Sequence, residues 1–373
     1  MTPKERVLDS IAHRRPDRVP IHIHLTPEMS ARLKETLGGR GPEQVFSDLR
    51  FVGPRYRGTT RKPEPGSRVH SYDMWGIGYR NVRNEFGTYS EAVDWPWARF
   101  KTLDDVAAYP WPSPDDFDYS GLFCPRSEPS WQNAPPRGQN NSMAGAAAQQ
   151  TDYAVIFGGA GIPDIINSTS RGRGMEQVLM DLVLEDPVGL AVIDRRVGFW
   201  LEYVRRGLEA GQRKIDILAL GEDLGNQNGP MVSPRTFERV FRPRLQRFFD
   251  LGKQYGCKVM MHMCGSNRAT LPALMEMGLD VYDACQPEPA GMAPEGLKRD
   301  FGDRLTFCGL VSTQHTLPHG SVVDVRREVE GLLRIFGNGG GYILAPAHCI
   351  QPDTPVENVL EVYRVAMGKD FPL

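Results

Sequence analysis

From residue 153 onward the chain alternates short apolar runs with amphipathic stretches, and this rhythm constrains the fold more than any other sequence feature. Strand-like runs fall at 153–158, 215–221, 258–263, 281–285, 305–309 and 342–347. Between them lie patterns of helical period, for example 176–184, 187–210 and 233–255. The last of these opens on Ser233-Pro234, an N-cap with proline at the first helical position, and Phe237, Val240, Phe241, Leu245, Phe248 and Phe249 make one apolar stripe. Pro243 within it predicts a kink. Two earlier segments, the alternating 19–25 (VPIHIHL) and the weaker 48–53, bring the strand count to eight. Eight alternating units in a chain of 373 residues predict a single-domain (β/α)8 TIM-type barrel over 1–373. A doubly wound open sheet is the alternative.

The stretch 54–150 breaks the rhythm. It is rich in Pro, Gly, Trp, Tyr and Arg, as in Tyr72-Asp73-Met74-Trp75-Gly76 and Trp95-Pro96-Trp97, and reads as hairpins and loops. We expect an irregular insertion that covers the barrel mouth or joins the subunits of a homodimer, with 133–150 as its flexible exit. Ahead of it, Thr2-Pro3-Lys4-Glu5 is a capping box that starts a helix running to about residue 13.

Charge excludes some functions. With 44 basic and 46 acidic residues nothing calls for a nucleic acid or an anionic membrane as partner. No apolar run approaches the roughly 20 residues of a membrane span, and the charged N-terminus is not a signal peptide. Six scattered cysteines suit a reducing cytoplasm, where they are core residues or metal ligands. Cys124, Cys257, Cys285 and Cys308 read as packing.

In a (β/α) barrel the chemistry sits at the C-terminal strand ends. Run 258–263 leads into His262-Met263-Cys264, and residues two apart in a strand share a face. Run 342–347 leads into His348-Cys349. If that strand continued, His348 would face away from Cys349, so Cys349 is the preferred donor. One imidazole and two thiolates suit tetrahedral zinc, with a fourth position left for substrate or a carboxylate. Glu222, with Asp223 beside it at the exit of 215–221, is the candidate carboxylate ligand. Asp223, Gln227 and Gln286 follow strands, and His22 and His24 alternate on the first one. These five are the candidate substrate contacts. The run Gly337–Gly341 precedes a strand and reads as a helix stop at the barrel bottom.

With these residues in place the sequence resembles the uroporphyrinogen decarboxylase superfamily along essentially its whole length. The similar segments are TPKERVLDSIAHRRPDRVPI, LDDVAAYPWPSPDD, GEDLGNQNGPMVSP and GGGYILAPAHCIQPDTPVENV. The arginine-rich signature of the true decarboxylases, just after the first strand, is absent: HIHLTPEMSA contains no arginine. The methylcobamide:thiol methyltransferases carry His-x-Cys on one strand and a cysteine near the C-terminus, and His262, Cys264 and Cys349 match that pattern. The resemblance therefore implies a zinc-dependent methyltransferase. It would move a methyl group between a corrinoid (cobalamin) on a partner carrier protein and a small thiol or an O- or N-methylated substrate. A decarboxylase without metal, or a non-catalytic zinc- or corrinoid-binding protein, are the competing expectations.

Overall fold

The structure, a computed structural model, describes residues 1–85, 87–123 and 152–373. Cys124 and the predicted exit at 133–150 lie outside the described residues. Seven parallel strands form one sheet in the order Leu49–Val52, Ala154–Pro163, Ile217–Gly221, Lys258–His262, Val281–Cys285, Thr306–Val311 and Tyr342–Pro346. Sheet order follows chain order from end to end, which a doubly wound sheet does not do. Every strand after the first coincides with one of the six runs read from residue 153 onward, and the weak candidate at 48–53 supplies the first.

The eighth candidate behaves differently. Segment 20–25 is extended but makes only isolated bridges, Ile21 to Leu344 and Leu25 to Ile350. The backbone N–H of His22 donates to Leu344 O at 2.9 Å, and that of Leu344 donates to Pro20 O at 2.8 Å. On its other side, Asp48 N–H donates to Ile21 O, while Ile21 N–H donates to the Asp48 carboxylate, both at 2.9 Å. Thus the segment touches both edges of the curled sheet. Its ladder is broken because Pro20 has no N–H to give and a side chain replaces the backbone partner at Ile21.

Alternate strand residues fill the interior, among them Leu49, Ile156, Ile217, Ala219, Met260, Val281, Cys308, Ile343 and Ala345. The helix Pro3–Ile11 closes one end: Val7 and Ile11 join that cluster, and Ser10 Oγ donates to Tyr342 O at 2.7 Å. Its predicted capping box is present between Thr2 and Glu5. Gly341, at the N-terminal end of the last strand, donates its N–H to Ser10 O, so the glycine run lies at the bottom, as its position before a strand implies. Cys257, Cys285 and Cys308 are buried in packing.

The long amphipathic patterns become Met175–Leu184, Pro187–Ala210 and a composite element. In the composite, Pro234–Thr236 leads through a π-helical turn, Phe237–Phe241, into Arg242–Gln254. Pro243 has no N–H for the carbonyl four residues back, and the irregularity appears one turn upstream as a widened helix.

Residues 55–118 hold a three-stranded antiparallel sheet (Ser71–Tyr72, Gly78–Arg83, Thr88–Asp94) and a two-stranded one (Arg55–Tyr56 with Phe117–Asp118). Their aromatic richness is explained largely by packing on Pro187–Ala210. Trp75 and Trp97 are buried, and the Trp75 ring lies 4.8 Å from Phe199 and 5.9 Å from Trp200. Asp73 organises the turn: its carboxylate accepts the N–H groups of Trp75 and Ile77, both at 2.9 Å, and the Tyr79 hydroxyl at 3.0 Å. Burial pushes the Asp73 carboxyl from 3.8 up to about 6. The folded state therefore holds this proton more tightly than the unfolded chain, so stability falls as pH rises from about 4 to about 6. Asp73→Asn, which keeps the acceptor and cannot ionise, is expected to flatten that window in denaturant titrations.

Candidate metal centre

Lys258–His262 and Val281–Cys285 run parallel with Asp283 paired to His262 in register, so both side chains point to the same face. His262 Nδ1 lies 3.0 Å from Asp283 Oδ2. With the carboxylate accepting from Nδ1–H, the lone pair belongs to Nε2, which sits 3.5 Å from Cys264 Sγ. The Asp283 carboxyl is held well below the usual carboxylate range, because its hydrogen bonds and charge interactions with His24 and His262 outweigh burial.

A third donor arrives from the bend that follows the last strand. Ligand atoms of His262, Cys264 and His348 all lie within 4.8 Å of one another, and this is the one such trio among the described residues. The rings of His262 and His348 are 6.0 Å apart, at 63°. Cys349, the donor preferred from strand alternation, is not in the trio. The premise of that preference does not hold, because the strand ends at Pro346 and the chain bends at Ala347 and His348. Past the ladder, residue parity no longer determines direction.

Two of the anticipated polar residues shape the turn that presents Cys264. Asp223 Oδ1 accepts Cys264 N–H, and its Oδ2 accepts Asn167 Nδ2–H, each at 2.7 Å. Gln286 Oε1 accepts Gly265 N–H at 2.7 Å. Gly265 has φ of +82°, and a Cβ there would come within 2.4 Å of Gly225 O, so only glycine fits. Gln227 is exposed on the loop and receives Ala290 N–H on its backbone oxygen.

Glu222 is not among the three residues whose ligand atoms converge. It is 1% exposed, and its two oxygens accept the N–H groups of Ile165 and Ile166 at 2.6 and 3.0 Å. It thereby caps the helix Ile165–Arg173 from outside its own sequence. Burial, with the Asp164 carboxylate beside it, pushes its carboxyl well up.

His22 and His24 reach the interior together. Their rings are 4.2 Å apart, His22 Nδ1 lies 2.7 Å from Ser47 Oγ, and His24 Nε2 lies 3.9 Å from Asp283 Oδ1. Burial and the neighbouring His24 push the His22 imidazole well down, so it is neutral. Asp283 and Asn267, whose amide donates to Cys264 O at 2.8 Å, were missed by sequence reasoning. The alternation of Val281, Asp283 and Cys285 on a strand adjoining His262 is the signal that identifies Asp283.

The family model described as Uroporphyrinogen decarboxylase (URO-D) matches residues 153–367. A solved methyltransferase from Methanosarcina mazei is similar in structure, with a TM-score of 0.59 and 17% sequence identity over 98% of each chain. At that identity the likeness shows a common fold. No curated protein matches the sequence. No helix among the described residues is long and apolar enough to cross a membrane.

Proposed function

The chain belongs to the uroporphyrinogen decarboxylase family, and we propose that within it the protein is a zinc-dependent methyltransferase. It would move a methyl group between a corrinoid on a partner protein and a small thiol or an O- or N-methylated substrate. The observation that carries this reading is the convergence of His262, Cys264 and His348 donors at the strand ends. Their chemistry fits zinc. Bonds of about 2.0–2.1 Å to nitrogen and about 2.3 Å to sulfur, at a tetrahedral angle, separate the two donors by about 3.5 Å. The observed separation of His262 Nε2 and Cys264 Sγ is 3.5 Å. The fold shared with a methyltransferase supports the same reading.

His262 and Cys264 would hold the ion, with a further donor from the turn where His348 and Cys349 adjoin. Bound zinc would supply Lewis acidity, which ionises a thiol near neutral pH or polarises a leaving group. The chain's own residues do the rest. Asp283 keeps the proton on His262 Nδ1, and Asp223 and Gln286 lock the backbone that presents Cys264. Segment 20–25, as the eighth element of a closed (β/α)8 barrel, would wall the site from water, with the corrinoid protein docking at the open strand ends. The carboxylates of Asp223 and Asp283 beside the trio disfavour a polycarboxylate at this place, which weighs against the decarboxylase alternative.

Asp283→Ala is expected to weaken zinc binding about 10–100-fold, read by chelator competition. Asp283→Asn, which retains an acceptor for His262, should fall near the lower end. The function itself is tested by methyl transfer from methylcobalamin to a panel of small thiols, and from methoxylated or N-methylated compounds to reduced cobalamin. Turnover that a chelator abolishes is the expected result. Zinc-replete protein with no transfer in either direction would point to a non-catalytic metal- or corrinoid-binding role. Decarboxylation of small acids by metal-free protein would overturn the reading.

A further inference from the structure

We propose that His24 is a positioning residue of the metal centre. It ties His262, through Asp283, and the turn that follows the last strand to one point on segment 20–25. This rests on the zinc reading above and deepens it, and it holds for either donor of the turn where His348 and Cys349 adjoin.

Two contacts meet at His24. Its backbone oxygen accepts the N–H of Ile350 at 2.9 Å, and the Ile350 oxygen accepts the N–H of Thr26 at 3.1 Å. The stretch that leaves Pro346 and carries His348 and Cys349 is thereby pinned at its far end. On the side-chain side, His24 Nε2 lies 3.9 Å from Asp283 Oδ1. The other oxygen of that carboxylate, Oδ2, lies 3.0 Å from His262 Nδ1. Asp283 therefore stands between two imidazoles, one from the segment that touches both edges of the sheet and one from a strand end.

Burial gives the contact between His24 and Asp283 its weight. His24 Nε2 and Asp283 Oδ1 are both buried, and neither has a hydrogen-bond partner within normal distance. A buried donor and a buried acceptor left apart each forgo what water would have given them. They stand about 1 Å beyond a normal N–H···O distance, a gap that a small rotation of either side chain closes. The Cys308 thiol faces the same carboxylate but is a weak donor. The His24 ring is itself braced. It packs edge-on against His22, with centroids 4.2 Å apart, and His22 Nδ1 is held 2.7 Å from Ser47 Oγ. With its second oxygen bound to His24, Asp283 has one orientation, in which Oδ2 keeps the proton on His262 Nδ1 and leaves Nε2 for the metal. Without that bond the carboxylate is free to turn about its broad terminal torsion, and the His262 ring with it.

Chelator competition without substrate reads this role apart from any contact that His24 makes with a substrate. His24→Leu keeps the backbone bond to Ile350 and removes the side-chain donor. It is expected to weaken zinc binding about tenfold, the lower end for groups that orient a ligand. His24→Gln, whose amide can reach Asp283 Oδ1, should recover most of that loss. In the Asp283→Ala background, His24→Leu should change affinity by no more than about twofold, because the residue through which it acts is gone. Heteronuclear NMR of the histidine rings supplies a reading that needs no variant. Wild-type His24, with and without zinc, is expected to carry a proton on Nε2. A bare His24 Nε2, unchanged affinity in His24→Leu, or losses that simply add in the double variant would each overturn the assignment while leaving the zinc reading intact. Wild-type protein that takes up no zinc would overturn the zinc reading itself, and this assignment with it.

Discussion

Cys264→Ser and His262→Ala are each expected to lower zinc affinity well beyond tenfold. Each removes one donor of an already small set, and for Cys264 the replacement is a hard, weakly acidic hydroxyl in place of a soft thiolate. The loss should be confined to the metal. Cys264 and His262 are half-buried at the rim, and neither belongs to the buried clusters of the core. The Cys264 backbone keeps its bond from N–H to Asp223 whatever side chain it carries. Elemental analysis of the purified proteins, followed by chelator competition, reads the outcome. About one zinc per chain in the wild type, lost in both variants, is the expected pattern. Variants that keep stoichiometric zinc at unchanged affinity would remove the metal centre from this place in the fold.

Asp48→Ala should produce the largest loss of stability, about 3–5 kcal/mol in denaturant titrations. Asp48 is 3% exposed and gathers four hydrogen bonds from three sources. Its carboxylate accepts Arg6 Nη1 at 3.0 Å, Arg18 Nη1 and Nη2 at 2.9 and 3.0 Å, and Ile21 N–H at 2.9 Å. Removing it strands the buried Arg6 guanidinium and an interior amide, and breaking one side of a buried ion pair costs about that much. Arg6 keeps Asp17 as a second partner, which holds the loss within this range. Asp48→Asn retains an acceptor for Ile21 and should lie between wild type and alanine. Because Asp48 ties segment 20–25 to the first strand, the alanine variant should also expose His22 and His24 amides to faster hydrogen exchange. A loss below 1 kcal/mol would mean that the segment is held by its bridges to Leu344 and Ile350 alone.

The barrel-like order of strands was legible because local pattern and global fold agree. A parallel strand covered on both faces reads as a short continuous apolar run, and six such runs follow residue 153 at helical intervals. His262 and Cys264 were legible for a related reason, since their spacing is fixed by the two-residue repeat of a strand that reaches the rim. Helix starts at Thr2 and Ser233 were equally local, as capping depends on neighbours three residues away.

What the tertiary structure alone decided lies where the chain leaves its ladder or where a partner comes from far along the sequence. That His348 lies near His262 and Cys264 follows from a bend between two anchor points, one on Val311 and one on His24. Glu222 accepts the amides of Ile165 and Ile166, almost sixty residues earlier, a helix-capping contact that no local pattern announces. The aromatic residues of the insertion read in sequence as a cover for the mouth or a subunit contact, and the structure buries Trp75 against Phe199 and Trp200 of the helix Pro187–Ala210 and Trp97 beside Gly172 of the helix Ile165–Arg173. The sequence by itself determined which segments are strands and helices and where the soft donors sit along them, because backbone periodicity is a local property. Which donors meet, and which polar groups are already satisfied, depended on contacts between distant segments, and only the folded chain brings these together.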